Sequence, residues 1–301
     1  MNMKTVYLNK FMSSVVTELE MNGQYGTAHV CGSVLRSVMA FGGEGLPVSG
    51  ITPLWLKAYE GYLLHKGGKG LAWNTVSTYM RMLQAVYNRA VARKLAAFIP
   101  HQFRDVFTGR KADHRRVLER DDMQKLLVER EPDITSPGMA WARACLELMF
   151  RFHGMPFVDL AHLRKSDLKD GYLTLRRRKT GMPLSARVDG RAMQLLERYR
   201  NRDDTSPYLL CFLDGNLEGM AAYRDYQRIL RLLNSRLRAL ALWKKVQGKV
   251  TSYSARHTWA TVGRYCHIPI EVISEGLGHA SVTTTEGYMK GFGNSRMDRA
   301  N

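Results

Sequence analysis

Lys179 in "LRRRKTG", Arg256 in "SYSARHTWAT", His279 in "GLGH" and Tyr288 in "TTTEGY" follow one another along the chain, with Tyr288 nine residues beyond His279. Each has a bland reading alone: a surface lysine at a turn, an ion-pairing arginine, a helix-end histidine, a structural tyrosine. Together they are the groups that phosphoryl transfer without a metal requires. A phosphodiester under attack gathers charge on its non-bridging oxygens, and preorganised cations must meet it. Arginine suits that task because its planar fork binds two oxygens and stays charged. A lysine can protonate the departing 5′ oxygen, and a histidine can donate to the phosphate or manage the nucleophile's proton. A tyrosine hydroxyl can attack phosphorus and hold the bond energy as an ester.

Other chemistries find little support. There is no Walker-type loop and no carboxylate cluster with metal-ligand spacing, so neither ATP, Mg²⁺ nor another cofactor is demanded. Forty-five Lys and Arg against 27 acidic residues give a net charge of +18 over 301 residues, which points to a polyanionic partner, nucleic acid first. The basic residues are spread along the chain and not gathered beside one apolar helix face, which argues against a membrane surface. No apolar run approaches the ~20 residues of a membrane span. The start "MNMKTVYLNKFMSSVV" has neither an apolar core nor a cleavage site for secretion. Cys31, Cys145, Cys211 and Cys266 are far apart with no CxxC pair, which fits a reducing cytoplasm. A cytoplasmic, nucleoid-associated bacterial protein is the expectation.

The elements that must position these groups differ between the two parts of the chain. The first third reads as helices. Leu8, Phe11, Met12, Val15, Val16 and Leu19 recur at helical spacing, and a second helix runs from about Thr27 to Phe41. "ITPLWLKAYEGYLLHKGG" is capped by Thr52 with Pro53 in its first turn. In "WNTVSTYMRMLQAVYNRAVARKL", with Asn74 as cap, Val76, Tyr79, Met80, Leu83, Tyr87, Ala90 and Val91 form an apolar stripe. Ser77, Arg81, Gln84 and Asn88 form a polar row on the other side, suited to lying along DNA. From Ile99 to Arg116 periodicity is lost, which reads as a flexible basic hinge: a domain over 1–108, a linker over 109–116 and a second domain over 117–301.

The second part begins with helices near "ERDDMQKLLVE", after "TSPG" and in "PFVDLAHLRKSDL". The period then changes to two in "GYLTLRRRKTGMPLSARV", a hairpin turned at Thr180-Gly181. Arg176, Arg177 and Arg178 on it are expected near the DNA backbone, where phosphate contacts raise affinity without reading sequence. Helices over Asp189 to Arg200 and about Tyr223 to Leu242 follow, and three more surround the motifs that carry Arg256, His279 and Tyr288. The fold class is mainly α with a small antiparallel β-sheet (α+β).

From about Arg115 onward these motifs resemble the tyrosine recombinase (phage integrase) family, and the helical first third resembles its SAM-like core-binding domain. "LGHASVTTTEGY" is similar to the closing motif, "SYSARHTWAT" to the second arginine motif, "LRRRKTG" to the lysine hairpin and "FHGMPFVDLAHLRKSDL" to the first arginine motif. The resemblance implies a DNA-cutting and rejoining enzyme that acts through a 3′-phosphotyrosyl link with a free 5′ hydroxyl. It implies double-stranded DNA with a specific site as partner and strand exchange in a homo-tetramer assembled from free monomers or dimers. It leaves open any host bending or directionality proteins. Tyr288 would be the nucleophile, Arg256 the second phosphate-clamping arginine, His279 the third-motif hydrogen-bonder and Lys179 the general acid. In such families the tail docks on a neighbouring protomer, which makes Met289 and Phe292 anchor candidates.

Two positions depart from the family pattern. Tyr253 stands where a histidine is usual, and still offers a hydroxyl. The first motif, commonly Gly-Leu-Arg, reads Gly154-Met155-Pro156, and proline has no phosphate-binding side chain. Arg151 is the first substitute, with Arg143 and His153 behind it; against the two arginines, Arg143, Glu147 and Arg151 are spaced as helix ion pairs. Two other functions stay open: a DNA-binding accessory protein with weakened catalysis, and a nicking-closing enzyme resembling type IB topoisomerases.

Overall fold

A computed structural model describes residues 5–111, 118, 120–127, 136–279 and 281–289, and only the backbone of Arg120 and residues 287–289. The chain divides into two compact units, the first ending at Ala112 and the second starting at Asp113. No helix among the described residues is long and apolar enough to cross a membrane.

The first unit holds α1 (Leu8–Met21), α2 (Tyr25–Gly42), α3 (Pro53–His65) and α4 (Trp73–Ala92). The apolar stripe of each helix faces the others: Leu8, Met12 and Val15 from α1, Cys31 and Val34 from α2, Leu56 and Leu63 from α3, Met80 and Leu83 from α4 are all fully buried. Thr52 caps α3 by accepting the Trp55 N–H at 3.1 Å, with Pro53 following it, as its sequence position predicts. Asn74 does something else. α4 is entered through Ala72, and the Asn74 amide closes on Lys111, donating to its carbonyl and accepting its N–H, both at 2.8 Å.

The basic segment after Ile99 is correspondingly different from a free hinge up to Lys111. Buried Glu60 accepts the Phe107 N–H at 2.7 Å, Gln102 donates to Ile51 O, and Ser77 donates to Gly109 O at 2.7 Å. A loop held by single polar contacts to a helix surface carries no hydrophobic period, so sequence patterning passes over it.

The second unit holds α5 (Arg120–Leu127), α6 (Pro137–Arg151), α7 (Phe157–Ala161), β1 (Leu168–Lys169), β2 (Tyr172–Arg176), β3 (Pro183–Arg187), α8 (Gly190–Arg198), α9 (Gly219–Trp243), α10 (Ser252–Tyr265), α11 (Ile270–Leu277) and α12 (Val282–Met289). The fold is thus mainly helical with one small antiparallel sheet, ordered β1-β2-β3. α6 is apolar nearly all round, and Ala142, Ala144, Cys145, Leu146, Leu148 and Met149 are buried where it packs against α8, α9 and α10. α9 presents Ile229, Leu233, Leu237, Leu240 and Ala241 as one stripe onto it. In the hairpin Leu175 faces Leu184 and Thr174 faces Ser185, with alternate side chains inward.

Candidate active site

Arg256 is the centre of the site, on α10. That helix starts on two satisfied N–H groups: Ser254 Oγ accepts the Thr251 N–H at 3.1 Å and Asn234 Oδ1 on α9 accepts that of Ser252 at 2.9 Å. The Arg256 side chain, 5% exposed, donates to Gly154 O at 3.1 Å and to Leu277 O at 2.7 Å. Gly154 has φ +66°, and a Cβ there would lie 2.9 Å from Arg256 Cα, so only glycine lets this turn approach α10. Met155 is in the core and Pro156 starts α7, which is how the turn lacks an arginine and still keeps its shape.

Arg256 also lies 2.8 Å from His279 Nε2, through Nη2. Arginine is a donor only, so Nε2 is the acceptor and Nδ1 carries the proton, which it donates to Thr285 Oγ1 at 2.7 Å. The imidazole is neutral. Burial first, then the charges of Arg256, Arg177 and Lys179, push its pKa down to about 4. Gly278, at φ +61°, ends α11 in the left-handed conformation, and His279 N–H returns to Ser274 O at 3.0 Å.

Thr285 is fully buried on α12, and Tyr288 follows it by three residues, one helical turn later. The chain Arg256–His279–Thr285 therefore ties the helix that carries Tyr288 to the arginine centre. The side chains of Tyr288 and Met289, and Phe292 altogether, lie outside the described residues. Sequence reasoning passed over Thr285; its only signal is its place in "TTTEGY", one turn before the tyrosine.

Lys179 is exposed at the hairpin tip, where its charge reaches His279. Tyr253, 42% exposed at the start of α10, borders a 240 Å³ cavity with Pro156, Phe157, Tyr226 and Asn234. Arg176 and Arg178 are exposed, as a DNA-facing hairpin needs. Arg177 is not: it is 5% exposed, and its Nη1 donates to Leu277 O, the oxygen that Arg256 also uses. The hairpin alternates, so three consecutive arginines cannot all point outward. Asp159 on α7, 3% exposed, accepts the backbone N–H of Arg178 at 3.0 Å; burial raises its pKa against the lowering effect of that hydrogen bond and of Arg177, Arg256 and Arg178.

Two of the three candidate substitutes for the first-motif arginine are engaged by carboxylates. Arg151 pairs with Glu147 at 3.0 Å and with Asp189 at 2.6 Å, and Arg143, fully buried, lies 3.4 Å from Glu147. The helix ion-pair reading is the one found. His153 packs its ring 5.5 Å from that of Trp259, and burial together with Arg177 lowers its pKa. In the first unit Arg81 and Asn88 are exposed and Gln84 half-buried, but Ser77 is fully buried on Gly109 O and leaves the polar row. It lies one residue after Val76, on the edge of the apolar stripe.

Residues 7–104 match the phage integrase SAM-like domain and residues 116–292 the phage integrase family. The chain belongs to the phage integrase family, the tyrosine recombinases. Among curated proteins it is 29% identical over 140 residues to tyrosine recombinase XerA of Pyrococcus furiosus, covering 46% of each chain. It is 27% identical over 180 residues to the putative integrase/recombinase y4gC of Sinorhizobium fredii, covering 58% of this chain and 88% of that one. The chain thus spans about half the length of the first of these relatives.

Three solved structures share the fold of this family member. The Tn1549 transposon integrase in complex with transposon right end DNA has a TM-score of 0.66 at 16% identity, covering 98% and 99% of the two chains. A lambda integrase (75–356) dimer bound to a COC′ core site scores 0.64 at 16% identity, covering 94% and 95%. A lambda integrase tetramer bound to a Holliday junction scores 0.61 at 16% identity, covering 95% and 78%.

Proposed function

We propose that this protein is a site-specific DNA recombinase that cuts and rejoins double-stranded DNA through a 3′-phosphotyrosyl intermediate, integrating, excising or inverting a segment. The observation that supports this most is the Arg256–His279–Thr285 chain, which joins a buried guanidinium to the helix bearing Tyr288. The Tyr288 oxygen attacks phosphorus and the bond to the 5′ oxygen breaks. Lys179 gives that oxygen its proton, and Arg256 holds the non-bridging oxygens. His279 Nε2, which accepts from Arg256 in the free protein, becomes the acceptor for the phenolic proton once Arg256 turns to the phosphate. Burial first, then the charges of Arg256, Arg177 and Lys179, hold the imidazole pKa at about 4, and an arriving phosphate offsets only the second of these causes. Rejoining is the reverse, with a 5′ hydroxyl from the partner strand.

The first domain (1–108, followed by a linker over 109–116) would grip the duplex through Arg81, Gln84 and Asn88, and the second domain (117–301) through Arg176 and Arg178. The working assembly is a tetramer on synapsed DNA, the state in which lambda integrase was solved on a Holliday junction. Host bending or directionality proteins are candidate further partners. Bacterial cytoplasm, at the nucleoid, is the proposed setting. The Gly-Met-Pro turn favours a second reading, a DNA-binding accessory protein without cleavage.

Nicked suicide duplexes built from the inverted repeats nearest the gene separate these readings. Wild-type protein should be trapped as a covalent adduct on denaturing gels, and Tyr288→Phe should form none. DNA binding without any adduct would favour the accessory reading. Adduct formation by Tyr288→Phe would remove Tyr288 as nucleophile. Relaxation of supercoiled plasmid lacking any such repeat would point to a topoisomerase-like enzyme.

A further inference from the structure

We propose that Arg177 supplies the second guanidinium at the scissile phosphate, filling from the hairpin the place that the Gly154-Met155-Pro156 turn leaves without a cation. This assignment rests on the recombinase reading above.

The backbone of Arg177 is locked at the base of the hairpin turn. Its N–H donates to Met182 O at 2.9 Å and its carbonyl accepts the Gly181 N–H at 2.8 Å. The neighbouring Arg178 N–H is held by Asp159 on α7, the helix that begins at the Gly-Met-Pro turn. With Arg176 and Arg178 exposed and Arg177 buried between them, strand alternation aims this one arginine inward.

Its route depends on Gly278. A Cβ at that position would lie 2.7 Å from both Cδ and Nε of Arg177, so the left-handed glycine that ends α11 is also what lets the side chain pass. Beyond it, the guanidinium reaches Leu277 O, which also accepts Arg256 Nη2 at 2.7 Å, and that Nη2 lies 2.8 Å from His279 Nε2. Two guanidiniums and the imidazole therefore meet around one carbonyl oxygen. The charges of both guanidiniums also act on buried Asp159, and an anion seated between the two forks would add a second opposite charge. A phosphodiester has two non-bridging oxygens to share between two planar forks, which one arginine alone serves less completely.

The other cations near the first motif are engaged differently. Arg151 and Arg143 are turned to Glu147, and His153 is stacked near Trp259. Arg177 is the one that shares an acceptor with Arg256.

The test compares two nicked duplexes, mapped to the cleavage position found with wild-type protein. One carries the natural phosphodiester there and the other a methylphosphonate, which lacks one anionic oxygen. On the phosphodiester, Arg177→Ala should form adduct about 10²- to 10³-fold more slowly, the scale seen when a single transition-state donor is removed. On the methylphosphonate, where there is less charge to neutralise, the defect should shrink to under about 10-fold. DNA affinity should change by far less than the cleavage rate. An equal defect on both substrates, or no defect on the phosphodiester, overturns the assignment. Should Arg177→Ala fail to fold, Arg177→Gln on the same pair decides by the same criterion, since it keeps a polar side chain there and loses the charge. If wild-type protein forms no adduct, or Tyr288→Phe still forms one, the recombinase reading itself fails. That result is distinct from an Arg177 variant that cleaves normally.

Discussion

Two gatherings of arginine in the second unit use the same side chain to opposite ends. Around Glu147, the carboxylate sits in the middle: Arg143 at 3.4 Å, Arg151 at 3.0 Å and Arg191 at 3.2 Å converge on it, and Asp189 takes the other end of Arg151. Around Leu277 O, Arg177 and Arg256 converge on a neutral carbonyl, with neutral His279 beside them and Asp159 accepting a backbone N–H. The first arrangement is satisfied from within and fastens α6 to α8. The second gathers two guanidiniums and an imidazole near buried Asp159, and is proposed to receive a phosphate. What stands at the centre decides whether an arginine serves structure or chemistry.

The sharpest way to break this comparison is to remove the central acceptor of the closed group. Glu147→Gln leaves fully buried Arg143 facing an uncharged amide, and losing one partner of a buried pair costs about 3–5 kcal/mol. Denaturant unfolding of the variant should show a loss of that size, and a loss below about 1 kcal/mol would mean that the group adds little. Next in size, Arg256→Ala should slow adduct formation about 10²- to 10³-fold on the suicide duplex. Its DNA affinity should stay close to that of wild type, and a defect confined to binding would contradict its role in the chemistry.

Acid should act on the open cluster more than on the closed group. His279 and His162 are both held neutral, burial being the chief cause, with pKa values pushed from 6.5 down to about 4. The unfolded chain therefore takes up these protons first as pH falls. Stability tied to them is complete above about 6.5 and is lost as pH drops towards about 4. His162→Gln should flatten part of that decline in a series of denaturation curves, and an unchanged slope would show that His162 does not titrate there. The smallest effect belongs to Arg151→Ala. It removes two ion pairs, to Glu147 and Asp189, at the half-exposed edge of the group and should cost about 1 kcal/mol, with adduct formation at the wild-type rate. A large fall in cleavage would return Arg151 to the site.

Much of this architecture is legible in residue order. The apolar stripes of α1 and α4, the Thr52 cap, the hairpin turned at Gly181 and the helices around Arg256, His279 and Tyr288 all follow from local period and turn chemistry. The errors have one cause. Ser77 reads as part of a polar face and is buried on Gly109 O, Asn74 reads as a cap and clasps Lys111, and Arg177 reads as one of three surface arginines and turns inward. In each case the side chain's partner is distant in sequence, 32, 37 and 100 residues away, so no local pattern contains it.

Residue types and their spacing led to the proposed reaction class, because a nucleophile, a clamp and an acid each demand a particular functional group whatever the fold. They could not say which of 45 basic side chains gather around Arg256. That choice is made where α11, the hairpin and α10 come together: a carbonyl at Leu277, a missing Cβ at Gly278 and a tight turn at Gly154 are features of packing, and they act between segments that the chain order keeps apart.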